Sequence, residues 1–209
     1  ALVNGNQATV TVRGTVTRAF GVFARFQDDS GPTGASGLVI RQADGELSGD
    51  FQQDITDGTI QPGTELLVTG SVSQFSGLLQ INGGDLQSYE VLSQGDPPEP
   101  QTISLSDLEA PNGENYESEL VRVEGLSFPD ASGSFAEDTG YTLETEGGTT
   151  VENIFRIQGP DETNVIGGSI PGGTFTYEGI VGQFNFGFGG ARQPDTGYQL
   201  QPILDGDLE

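Results

Sequence analysis

The chain has 209 residues, 33% of them apolar, with 33 Gly, 11 Pro and no Cys, His or Met. Thirty-one acidic residues face seven basic ones, a net charge of −24 at pH 7, and the seven are all Arg (13, 18, 25, 41, 122, 156 and 192). These figures exclude disulfides, thiolate metal sites, a histidine base and a Schiff-base lysine, and no run approaches 18 consecutive apolar residues, so no segment reads as a membrane-spanning helix.

In chain order, residues 1–7 form a short polar lead with Leu2 and Val3 at its tip. Residues 8–17 alternate, with Val10, Val12, Gly14 and Val16 on one face, which predicts a half-buried strand. Gly14 in mid-strand marks a place to bend or bulge. A second strand is predicted over 22–27, ending at the turn signal Asp28-Asp29-Ser30-Gly31-Pro32, and a third over 37–41. A polar stretch over 42–59 leads to residues 60–81, IQPGTELLVTGSVSQFSGLLQI, which hold a Pro-Gly turn and three short apolar strands. Residues 86–92 close this first unit.

Much of 60–81 returns near the end. Pro62, Gly70 and Phe75 map onto Pro171, Gly179 and Phe184 at a constant offset of 109, the mark of a duplicated β unit. Between the copies, three prolines in four residues (Pro97, Pro98, Pro100) predict an extended spacer over 94–101, dividing the chain into units 1–93 and 102–209. Ser104 with Asp107 three residues later predicts one short helix just beyond it. Strands follow over 119–125, where Gly125 aligns with Gly14, and over 141–144, 152–157 and 174–184. A last strand over 197–201 echoes Gly77-Leu78-Leu79-Gln80.

About five short strands per unit, a mid-strand Gly and a closing hairpin predict an all-β protein. The architecture that fits is two tandem OB-fold-like Greek-key barrels with one short helix near the start of the second. The segment Tyr116-Glu117-Ser118-Glu119-Leu120-Val121-Arg122-Val123-Glu124-Gly125 resembles one found in OB-like domains of secreted and cell-surface bacterial proteins, departing from it at Ser118, where Gly is usual. Those domains sit beside extracellular nucleases or on surface proteins of Bacteroidota-like bacteria. The resemblance implies fold and compartment but not activity. The opening Ala1-Leu2-Val3-Asn4 fits the residues left by a signal peptidase, so an extracellular or cell-surface location is expected.

Two acidic loops, Asp28-Asp29 and Asp205-Gly206-Asp207, offer spaced oxygen ligands of the kind calcium takes. They compete with the simpler reading of solvated turns, and no other cofactor is expected. Phe184, Phe186 and Phe188 lie at i, i+2 and i+4; Phe184 pairs with Phe75 as a core position, whereas Phe186 and Phe188 are left for loop packing, sugar stacking or a subunit contact. The Phe20, Phe23 and Phe26 run reads as core.

The charge is expected to repel phosphate backbones and anionic membranes, so neither nucleic acid nor membrane insertion is expected. The functional expectation is a secreted, non-catalytic structural protein that self-assembles into a fibre or surface layer. Ala1, Leu2, Val3, Phe186 and Phe188 would form the interface, by strand addition. The alternative is a polysaccharide-binding accessory module.

Overall fold

A computed structural model shows two tandem OB-type β-barrels, and residues 8–42, 51–185 and 196–209 are the ones described below. The first unit contains β1 (Thr9–Phe20), β2 (Phe23–Asp28), β3 (Ser36–Arg41), α1 (Phe51–Thr56), β4 (Thr64–Ser71), β5 (Ser73–Phe75), β6 (Leu78–Ile81) and β7 (Leu86–Gln94). The second contains β8 (Gln101–Thr102), β9 (Leu120–Ser127), β10 (Thr139–Thr145), β11 (Thr150–Ile157), β12 (Phe175–Gln183) and β13 (Tyr198–Gln201).

In the second unit the ring β9-β10-β11-β13-β12-β9 is closed, with β11 and β13 parallel and the other neighbours antiparallel. The first unit runs β6-β3-β2-β1-β4 with β3 and β6 parallel. There β4 continues past Val72 into β5, which pairs with β6.

Register establishes the duplication residue by residue. Val10 faces Gly70 and Val12 faces Val68 in the first unit, while Val121 faces Gly179 and Val123 faces Tyr177 in the second. Gly70 and Gly179 are the pair the sequence offset matches, and β6 and β13 are the echoed closing strands. Each unit has its own apolar centre. One is built on Val16, Phe26, Ile40, Leu66, Val68 and Ile81, the other on Val123, Leu126, Leu143, Phe155, Phe175 and Leu200. Strand alternation fills both, inward residues being apolar at every second position.

Three local expectations are revised. The register shift of β1 against β2 lies between Val16 and Arg18, not at Gly14. Gly14 instead permits close approach: a Cβ there would lie 2.6 Å from Phe26 Cδ2 and 2.8 Å from the Gln27 carbonyl oxygen. The stretch 42–59 holds a helix, α1, anchored by Phe51, whose ring meets Tyr89 edge-on at 5.1 Å. The helix predicted after Ser104 is a single 3₁₀ turn, Leu105–Leu108, with Asp107 accepting from the Ser104 backbone N–H at 2.8 Å; its two leucines enter the second core.

Residues 95–100 form no secondary structure and are mostly exposed, yet the barrels they join are not held apart. On β2, Ala24 and Phe26 point into the first core, so Phe23, Arg25 and Gln27 point outward. Arg25 and Gln27 are nevertheless only 2% and 6% exposed, because the second unit covers them. The Leu120 N–H donates to Gln27 Oε1 at 2.8 Å, and a small apolar seam of Leu120, Ile180 and Ile203 takes in Phe20 from the first unit. Gly37 lets the chain pass close to Ser118, where a Cβ would fall 2.5 Å from the Ser118 carbonyl carbon.

Replacing Gly14 with Ala forces Phe26 or the β2 backbone to move, so Gly14→Ala is expected to cost about 1–3 kcal/mol. Denaturant melts of the two proteins measure it, and equal midpoints would refute the close-approach role.

Candidate functional site

The seam is made of ion pairs as well as apolar contacts. Arg18 gives Nε to Asp207 Oδ1 at 2.6 Å, Nη1 to the Thr17 carbonyl at 2.8 Å and Nη2 to the Glu178 carbonyl at 2.7 Å. Asp207 also accepts the N–H groups of Ile203 at 2.7 Å and Leu204 at 3.1 Å. Burial holds its carboxyl above the usual range, opposed by the Arg18 guanidinium and those two N–H bonds. Arg25 reaches Glu162 at 3.5 Å and lies over the Phe23 ring, 5.1 Å from its centroid. Its Nη1 is buried with no hydrogen-bond partner, and burial lowers its pKa. Burial likewise raises Glu162, with Arg25 opposing.

At one rim of the seam a groove of roughly 460 Å³ opens between the barrels. Its position follows from the two closing hairpins. Gly77 in the β5–β6 turn pairs with Phe184 just past β12, and the Asn185 N–H donates to the Ser76 carbonyl at 2.7 Å. Only glycine suits this contact: Gly77 has φ of +102°, and a Cβ would lie 2.3 Å from Gln183 Oε1.

Phe23, Phe75, Leu78 and Phe184 supply the groove's apolar surface. Phe75 is 59% exposed, and the Arg156 guanidinium lies over the Phe184 ring at 4.7 Å. The buried amides Gln80, Gln158, Gln183 and Gln201 line the groove too. Ile81 and Leu200 beside Gln80 and Gln201 point into the cores, so the two amides point outward to the groove, Gln201 lying over Gly182 of its own barrel. Gln183 donates to the Thr196 carbonyl at 2.9 Å. Among the described residues, the amides of Gln80, Gln158 and Gln201 make no side-chain hydrogen bond and keep their polar atoms open to the groove, whereas Arg156 Nε is buried without a partner. Two cations, Arg41 and Arg156, are matched by two acids, Asp138 and Glu162, leaving the groove near neutral.

The residues singled out in the sequence are distributed otherwise. Asp207 is locked to Arg18 and is not open to a calcium ion; Asp205 beside it is exposed. Asp28 accepts the Ser30 N–H at 2.9 Å and the Ser30 hydroxyl at 2.5 Å, the solvated-turn reading, and Asp29 is exposed. Among the described residues no three carboxylates are placed to hold a metal ion. Phe75 is exposed and Phe184 half-buried, so neither is the core residue expected of it. Phe26 is core, Phe20 joins the seam and Phe23 the groove. Ala1, Leu2, Val3, Phe186 and Phe188 lie outside the described residues.

No protein-family profile and no curated protein matches the chain. Two crystal forms of Rim1, the mitochondrial single-stranded DNA-binding protein of S. cerevisiae, are similar in structure at 11% and 12% identity. Each match covers 44% of this chain and 99% of that one, with TM-scores of 0.31 and 0.30. The expectation that nucleic acid is no partner is corrected here, since the solved structures that this chain is similar to are single-stranded DNA-binding proteins.

Removing Arg18 strands a buried carboxylate. Arg18→Met is expected to cost about 3–5 kcal/mol, and adding Asp207→Leu to restore part of the loss. Urea unfolding measures both. A single variant within 1 kcal/mol of wild type, a threshold well under the roughly 3–5 kcal/mol of a broken buried pair, would contradict the assignment.

Proposed function

We propose that the protein is a binding module that holds an oligosaccharide in the groove between its two barrels. The observation that carries this reading is an exposed ring, Phe75, beside glutamine amides that open onto the groove with no protein partner. A sugar ring offers an apolar face for Phe75 and Phe184. Its hydroxyls donate and accept at once, as does a glutamine amide. A buried donor without a partner is costly, and a hydroxylated ligand would satisfy Arg156 Nε while bonding the open amides of Gln80, Gln158 and Gln201. The balanced charge of Arg41 and Arg156 against Asp138 and Glu162 suits a neutral ligand. Groove volume is in the range of small-molecule sites, and the OB barrel commonly carries its ligands on the face of its second and third strands and the adjoining loops. In the first barrel much of that face is covered by the second, which leaves the rim groove as the accessible part.

Calorimetric titration with neutral β-1,3-, β-1,4- and α-1,4-linked gluco-oligosaccharides tests the reading, with a single-stranded oligonucleotide of mixed sequence in parallel. Binding of at least one sugar is expected. Phe75→Ala should weaken it about tenfold or more, a loss of about 1.4 kcal/mol, while stability stays within about 0.5 kcal/mol. An oligonucleotide that binds in the groove while no sugar does would overturn it in favour of a nucleic-acid module.

A further inference from the structure

The other rim of the seam carries a second crevice, and its chemistry differs. Glu117 and Glu119, on the segment leading into β9, reach across to the first barrel there. Glu117 Oε1 accepts the Leu79 N–H at 2.8 Å. Glu119 accepts the Thr33 hydroxyl at 3.1 Å and the Gln101 amide at 2.6 Å. Between them Ser118 sits with φ of +63° and a buried hydroxyl that has no partner. Neither glutamate faces a cation in this crevice: Glu114 lies near Glu117 and Asp28 near Glu119. Tyr116 is adjacent, its hydroxyl raised by burial, Asp107 and Glu119. The seam's arginines, Arg18 and Arg25, are engaged elsewhere, by Asp207 and Glu162.

We infer that Glu117 and Glu119 form a proton-operated latch on the seam, so that the groove on the opposite rim is assembled most firmly at acidic pH and loosens as the two carboxyls ionise. The inference rests on the oligosaccharide reading only for its consequence at the groove; the latch itself is a property of the seam. Docking buries Glu119, 2% exposed, and leaves Glu117 half-buried; both are hydrated when the barrels part. Burial raises Glu117 to about 7, with the Leu79 N–H opposing and Glu114 adding to the rise. Burial raises Glu119 to about 7 as well, with Gln101 and Thr33 opposing and Asp28 adding.

The docked state therefore holds protons that the parted state gives up near the ordinary value of 4.5. Docking is favoured most below about 4.5, weakens between 4.5 and 7 as the parted state gains by ionising, and levels off above 7, where both states are charged. The limiting slope is tenfold per pH unit per carboxyl. Glu162 and Asp207 shift in the same direction, each opposed by its arginine.

The groove is composite: Phe23, Phe75 and Gln80 come from the first barrel, Arg156, Phe184 and Gln201 from the second. Parting the barrels separates them, so ligand affinity follows the latch.

The test is amide exchange by NMR on the whole protein without ligand at pH 5, 6, 7 and 8, expressed as protection factors to remove the intrinsic pH dependence. The seam amides of Leu79 and Leu120, which donate to Glu117 and Gln27 across the interface, are expected to lose at least tenfold protection between pH 5 and 7 and little beyond. Val68, in the first core, should hold steady. In Glu117→Gln/Glu119→Gln, whose neutral amides imitate the protonated carboxyls, most of the slope should vanish. Seam protection that is flat in the wild type, or a slope fully retained in the double variant, would overturn the latch. Titrating the gluco-oligosaccharides at pH 5 and 7.5 separates the two readings. Weaker binding at 7.5, restored in the double variant, supports both; pH-dependent seam protection with no sugar bound at either pH sinks the ligand reading and leaves the latch standing.

Discussion

The structure depends on how a chain of net charge −24 brings two acidic barrels into contact. Apolar burial alone is small at the seam, where the shared cluster is Leu120, Ile180 and Ile203 with Phe20. Arg18 and Arg25 of the first barrel supply the rest, each directed at an acid of the second. Arg18 is fully satisfied, with one carboxylate and two carbonyls, which is the condition for a buried pair to offset its desolvation. Arg25 is not, and its unpartnered Nη1 marks the seam as a place where hydrogen bonding is incomplete.

That contact decides what each surface can do. An OB barrel ordinarily presents the outer face of its second and third strands to a ligand. Here Arg25 and Gln27 of that face lie against the second barrel, so much of the first barrel's face has become an interface, while Phe23 stays at the groove. The part left open is the rim, where hairpins from both barrels meet at Gly77 and Phe184. A groove built this way has walls of different origin, and its geometry depends on docking as much as on either fold.

Much of the fold was legible in the sequence, because its signals are local. Alternation placed the strands, the Pro-rich stretch marked the passage between units, and the repeated Gly70 and Gly179 matched the observed register. Helix α1 was not legible: its anchors, Phe51 and Ile55, sit among polar residues, and their burial depends on Tyr89 from a distant strand. The site was hardly legible at all. Phe75 and Phe184 align in the repeat, which suggested a shared core position, but alignment does not say which face of a closing hairpin meets another barrel. Gln80 and Gln201 stand at outward strand positions, where a glutamine is ordinarily solvated. One signal was present and unread: Arg25 interrupts Phe-Ala-Arg-Phe on a strand of a chain with few cations, a place where a charge earns its position only by meeting an acid.

The Arg18 and Arg25 ion pairs and the Leu120, Ile180 and Ile203 seam tie the two barrels into one cooperative body, with the candidate groove between them. Differential scanning calorimetry of the whole chain at pH 5 tests it most directly. A single transition is expected, with calorimetric and van't Hoff enthalpies in agreement. Two resolved transitions, each with the enthalpy of one barrel, would show that the units melt independently and would contradict it.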